Sequence, residues 1–181
     1  MPILPGTYEL GTDDASLRIE TIRHGAAAKA GHDLLLEVGS WRATLTIAED
    51  PSESSLALSA DSGSMEVIQG TGGIMPLTDE DKVEIKKTLE DEVLQPGPVT
   101  FSSTRVAPAD DGNRLQVSGE LELNGQTHIL SFELDLGTDG ALSATATVKQ
   151  SDWGIKPYSG LFGTLKVRDE VQIVAQASLV A

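Results

Sequence analysis

Apolar and polar residues alternate with a period of two along most of this 181-residue chain, and that constrains its fold more than any other feature. Leu17, Ile19 and Thr21 share one face, with Ser16, Arg18 and Glu20 on the other. Trp41, Ala43, Leu45 and Ile47 alternate with Arg42, Thr44 and Thr46, and Leu56, Leu58 and Ala60 with Ser55, Ala57 and Ser59. Later runs place Leu115, Val117, Gly119, Leu121 and Leu123 on one face, then Leu130, Phe132, Leu134 and Leu136. Leu142, Ala144, Ala146 and Val148 follow, and Val171, Ile173, Ala175, Ala177 and Leu179 close the series. Each run reads as a strand with one buried and one wet face. Antiparallel sheets produce that pattern, whereas parallel sheets covered on both sides read as continuous apolar runs. The turns agree. Asn124-Gly125 joins two alternating runs, and both central residues of such a turn need positive φ. Asp111-Gly112-Asn113 and Asp139-Gly140 close two further hairpins. Strands at this short spacing belong to a sandwich or a barrel.

One segment breaks the period. Thr78 to Leu94 contains no Gly or Pro. Thr78 caps it, with Asp81 as a short-armed capping-box partner three residues on. Asp79, Glu80 and Asp81 crowd the first turn, where the helix dipole favours acids. Ile85, Leu89 and Val93 form a narrow apolar stripe, and Gln95-Pro96-Gly97-Pro98 stops the helix. This predicts one amphipathic helix, about 78–94, inserted between strands of a single domain spanning 1–181.

The chain has no Cys, which excludes disulfides, thiolate metal sites and Cys nucleophiles. Thirteen Lys and Arg against 28 Asp and Glu leave a net charge of −15. That sum argues against nucleic acid and anionic membrane surfaces as partners, since both need cations to neutralise phosphate. No apolar run approaches the ~20 residues of a membrane-spanning helix. The opening residues lack a basic region followed by an apolar stretch, so the expected compartment is the cytoplasm.

The inward faces are rich in Ala, Gly and Val, and the chain has only seven aromatics (two Trp, two Tyr, three Phe). A solid sandwich core needs more bulk to reach native packing density. Two outcomes stay open. Either the helix or a facing sheet fills the space, or the sheet curls shut around an elongated hole, as eight-stranded barrels do for one small ligand.

Candidate chemistry is sparse. His24, His32 and His128 are enough for an open zinc site only if they converge, and their spacing does not force that. His128 shares the parity of Leu130 and Phe132, which points it inward near a barrel mouth. In His32-Asp33 only one side chain can face inward. Asp33 reads as a turn residue bonding backbone amides after Gly31, and His32 as the inward contact. Gly70-Thr71-Gly72-Gly73 lacks the Lys and Ser/Thr of a phosphate loop and reads as a flexible connection. The acids of the helix read as a solvated face, since no calcium-loop spacing exists. Pro157 to Gly163, with Trp153, suits either a plug or a gate at one barrel end.

Several segments in order resemble the YceI-like family. They are Gly6-Thr7-Tyr8-Glu9-Leu10, Gly31-His32-Asp33-Leu34, and the helix followed by Pro98-Val99-Thr100-Phe101-Ser102-Ser103. Val117 to Thr127, Ser151-Asp152-Trp153-Gly154-Ile155 and Leu165 to Val171 continue the series. One departure is Gln150-Ser151, where the family commonly has Arg. The resemblance implies a lipocalin-like, closed antiparallel β-barrel of about eight strands, non-enzymatic, without a cofactor, holding an isoprenoid, quinone-like or fatty amphiphile along its axis. On that reading the expected wall contacts are Trp41, Leu45, Leu58, Phe101, Leu121, Phe132, Trp153 and Phe162. The expected polar end is His32 and His128, with Arg23 and Arg105, which share parity with apolar neighbours. The alternatives are a small-molecule enzyme or a metal or haem barrel using His24, His32 or His128, and a filled barrel acting as a scaffold or homodimer module.

Overall fold

The computed structural model describes residues 3–109 and 112–179. The strands are β1 (Gly6–Gly11), β2 (Ala15–Glu20), β3 (Arg23–His24), β4 (Asp33–Val38), β5 (Trp41–Ile47), β6 (Ser55–Asp61) and β7 (Met65–Thr71). After the helix α1 (Asp79–Thr88) come β8 (Pro98–Pro108), β9 (Arg114–Leu123), β10 (Gln126–Leu136) and β11 (Ala141–Lys149). The series ends with β12 (Ser159–Gly160), β13 (Leu165–Val167) and β14 (Glu170–Ser178). Eleven strands form one sheet in the order β1-β5-β6-β8-β9-β10-β11-β14-β2-β4-β7, and β12-β13-β3 form a small second one. Every pairing in both is antiparallel.

The alternation becomes burial directly. Trp41, Ala43, Leu45 and Ile47 of β5 are buried, and the residues between them are not. Leu115, Val117 and Leu121 of β9 and Leu142, Ala146 and Val148 of β11 behave alike. The β9–β10 hairpin turns on Asn124 and Gly125 at φ of 54° and 70°, the mirror-image turn that the strands' twist requires. Residues 110 and 111, part of the expected Asp111-Gly112-Asn113 turn, lie outside the described residues; Gly112 has φ of 73° and β8 pairs with β9 as a hairpin.

Two expectations change. There are 14 strands among the described residues, not about eight. β1 and β7 also stand at the two ends of the large sheet's order, with no ladder between them among the described residues, so the sheet is a strongly curled half-barrel rather than a hydrogen-bonded ring. Three of the additional strands, β3, β12 and β13, are only two or three residues long, too short to show alternation, and β7 is hidden for a local reason. In the β4–β7 pair the register slips between Leu35 and Leu36, leaving Ile68 without an opposite number and breaking the alternation of β7.

Helix α1 starts as its cap predicts. The Asp81 amide donates to Thr78 Oγ1 at 3.1 Å, and the Thr78 amide donates to Asp81 Oδ2 at 2.8 Å. The predicted helix is not α-helical to its end, since Leu89–Val93 form a π-turn closed by the Leu94 amide on the Leu89 carbonyl at 2.8 Å. Leu89 and Leu94 pack against the buried cluster that includes Leu10 of β1 and Val67 of β7. The helix lies against the edge strand β7, and its stripe joins the cluster to which both edge strands contribute. Lys86 Nζ, 2.5 Å from Glu66 Oε1 of β7, pins its outer side.

Candidate functional site

The concave face of the large sheet does not close on itself. It surrounds a cavity of about 890 Å³, to which every strand of that sheet contributes at least one inward side chain. The inward residues there are too small to meet across the curl: Ala144 and Ala146 of β11, Ala175 and Ala177 of β14, Ala43 of β5 and Ala60 of β6. Larger groups give the wall its shape. Phe101 and Phe132 pack with ring centroids 5.4 Å apart and tilted by 52°. Ile85, Leu89 and Val93 of the predicted helical stripe line the cavity from the helix side.

Seven of the ten expected contacts stand in the wall: His32, Trp41, Leu45, Leu58, Phe101, Leu121 and Phe132. Three do not. Trp153 is buried beyond the cavity, in the core cluster with Leu121 and Val148, and its Nε1 donates to the Leu121 carbonyl at 3.0 Å. It is therefore a core residue outside the cavity lining. His128 does lie on the inward parity of β10, opposite Leu121. That end of the strand runs past the cavity, so His128 is exposed and stacks edge-on against Trp153, with centroids 5.5 Å apart. Parity sets the face of a strand, not the depth along it. Phe162 is fully exposed at the tip of the turn between β12 and β13.

The polar end also differs from expectation. Arg105 is exposed because a bulge between Ser103 and Arg105 turns β8 over, so residues beyond it lose the parity of Phe101. Arg23 lines the cavity but is committed to structure. Its Nε donates to the Ala28 carbonyl at 2.7 Å and its Nη1 to the Thr71 carbonyl at 3.0 Å. Its Nη1 also lies 3.2 Å from Asp33 Oδ1, and the same oxygen accepts the Arg23 amide at 2.8 Å. Asp33 is thus an amide acceptor, with the guanidinium as a second partner. His24 is exposed on β3 and lies outside the wall.

His32 faces the cavity and holds a loop over it. Its Nε2 lies 2.7 Å from the Met75 carbonyl. A carbonyl only accepts, so Nε2 carries the proton in this contact. The connection from Thr71 to Leu77 is shaped to lie close. Gly72 and Gly73 both have positive φ, and a methyl on Gly73 would fall 2.5 Å from His32 Nε2. What reads in the sequence as a loose glycine loop is a fitted cover, with Ile74, Met75, Pro76 and Leu77 in the cavity wall. Asp81, at the helix start, also lines the cavity. The Thr78 amide, then its hydroxyl, hold the Asp81 carboxyl below the usual carboxylate value, with His32 adding to the effect.

Sequence reasoning did not single out Gln150 as a wall residue. It is buried, lines the cavity and donates from Nε2 to the Arg168 carbonyl at 3.1 Å. Its position where family members commonly carry Arg was the available signal. Among the described residues no three His, Asp or Glu side chains stand close enough to hold a metal ion. No described helix is long and apolar enough to cross a membrane.

A curled antiparallel sheet around a largely aliphatic cavity is an architecture that can enclose a small apolar molecule. The family is specific: the profile of the YceI-like domain matches residues 8–179, and the chain belongs to that family. No curated protein matches the sequence. Among solved structures, the fold is similar to the crystal structure of BcnA from Burkholderia cenocepacia, with a TM-score of 0.62 at 16% identity, over 90% of this chain and 94% of that one. A polyisoprenoid binding domain from Saccharophagus degradans, implicated in plant cell wall breakdown, aligns over 96% of this chain and 99% of its own, at 11% identity and a TM-score of 0.44.

Proposed function

We propose that this protein binds a long isoprenoid, quinone-like or fatty amphiphile in the cavity and stores or carries it without chemical change. The observation that carries the reading is the cavity itself, about 890 Å³ walled by Leu, Ile, Val, Ala and Phe. Such a space falls within the range of small-molecule sites, roughly 300–1,000 Å³. Each methylene moved from water into it contributes about 0.8 kcal/mol, so a tail of ten carbons gains about 8 kcal/mol before ordering costs. The tail needs no hydrogen bonds. Orientation comes from the few polar groups, with His32 and Gln150 as the partners proposed for a head group. Membership of the YceI-like family carries the same expectation.

Native mass spectrometry of purified protein tests the reading, followed by delipidation and titration with cis-parinaric acid. The expected results are an adduct of lipid mass, or saturable uptake by the stripped protein. Neither an adduct nor uptake would refute it.

A further inference from the structure

The small sheet has a composition unlike the rest of the chain. Residues 21–32 and 153–168 build β3, β12, β13 and the turns around them. They hold Arg23, Lys29, Lys156, Lys166 and Arg168 and not one of the chain's 28 acids, in a protein of net charge −15. Arg23 is consumed by Asp33. Lys29, Lys156, Lys166 and Arg168 are exposed, and among the described residues their charged groups form no ion pair. Of the four acids that flank these segments in sequence, Asp33 is engaged by Arg23 and Asp169 by the Ser151 amide and hydroxyl, at 2.7 and 2.5 Å, while Glu20 and Asp152 are exposed at the segments' starts.

The same surface carries apolar groups that nothing covers. Phe162 is fully exposed and Leu161 is 55% exposed, at adjacent positions of one turn. Lys166 lies beside this turn, its Cε 4.0 Å from where a methyl on Gly163 would sit. Ile22, also exposed, adjoins the small sheet through its carbonyl, which accepts the Arg168 amide at 2.8 Å. Arg23 ties the sheet to the cover loop, where Ile74 and Met75 are 82% and 73% exposed. Tyr158, Leu165 and Val167 on the other side of the sheet line the cavity.

We propose that the small sheet, with its Leu161–Phe162 tip, docks this protein on a lipid bilayer that carries anionic headgroups. Unpaired cations around an exposed aromatic suit that surface, where each Lys or Arg adds attraction and an apolar side chain enters the headgroup boundary. A net charge of −15 does not forbid it, because screening confines each charge to within about 10 Å at 0.1 M salt. Docking stands without the cavity reading; passage of an amphiphile between bilayer and cavity rests on it.

The test is co-sedimentation of the full chain with vesicles of phosphatidylcholine alone and of phosphatidylcholine with phosphatidylglycerol. Binding is expected only with phosphatidylglycerol, and it should fall as salt rises. Lys166→Gln and Arg168→Gln should each weaken it roughly fivefold. Phe162→Asn should weaken it about tenfold or more. Asn tolerates the left-handed backbone of Phe162, at φ of 57°, so this variant keeps its fold. Phe162→Trp should show a blue-shifted emission when vesicles are added. Ile129→Ser, an exposed site on β10, should change nothing. Ala144→Phe, which fills the cavity, should dock normally whether or not it takes up cis-parinaric acid, which separates a failed docking surface from a failed cavity. No binding at low salt, equal binding to both vesicles, or binding indifferent to Phe162→Asn would each overturn the proposal. The last result would point to an ionic surface for an acidic protein instead.

Discussion

Replacing Ala144 by Phe separates an empty cavity from a packed core. Ala144 lies in the middle of β11, opposite Leu134 of β10 and Ala175 of β14, and all three line the cavity. A phenyl ring at this position projects into the void and displaces about five methylenes of a bound tail. At about 0.8 kcal/mol each, the loss is ~4 kcal/mol, close to a thousandfold in Kd. Folding should hardly suffer, because the ring meets open space. In a filled core the same ring would overpack and cost about 1–3 kcal/mol. For a chain of this size that lowers Tm by roughly 2–12 °C. The assay pairs calorimetric melting of the stripped protein with a cis-parinaric acid titration. The expected result is unchanged Tm with uptake lost. A lowered Tm with uptake intact would refute the reasoning, since it would mean that the side chains around Ala144 already touch.

Three further outcomes follow from the same geometry. Leu89→Asp removes the helix stripe from the cluster of Leu10 and Val67; it should lower Tm by about 4–8 °C, from a loss of ~2 kcal/mol, and raise binding of an environment-sensitive dye. The Asp81 carboxyl is held low by the Thr78 amide and hydroxyl, so its contribution is present above the ordinary value of 3.8 and lost as pH falls through its lower folded value; amide exchange in α1 should quicken in that acid window in the wild type, and Asp81→Ala should already be fast at neutral pH and show little further acid response. The two tryptophans should respond differently to Phe: Trp153→Phe breaks a buried hydrogen bond to Leu121 and should cost about 1–3 kcal/mol, whereas Trp41 Nε1 is buried with no partner among the described residues, so Trp41→Phe removes an unsatisfied donor and should be much closer to neutral in denaturant unfolding.

The strands of this protein were legible wherever one face is buried and the other wet, because that contrast is written residue by residue. The runs of β5, β9, β11 and β14 became walls with the parity expected of them. The Asn124-Gly125 turn and the Thr78–Asp81 cap were equally local, since each depends on groups within four residues. Most of the aliphatic wall followed from parity alone. What parity lacks is depth and interruption. His128 has the inward parity and lies beyond the cavity, where Trp153 occupies the space beneath Leu121. Arg105 lost its parity to one inserted residue in β8, and β7 lost its alternation to another, neither marked by a Gly or Pro. Only the tertiary structure decided that the curl stops at β1 and β7 with a helix packed against β7, and that Gly73 fits beneath His32. It alone gathered two acid-free segments, far apart in the chain, into one small sheet. Such outcomes depend on contacts between distant residues, which alternation along a single strand does not encode.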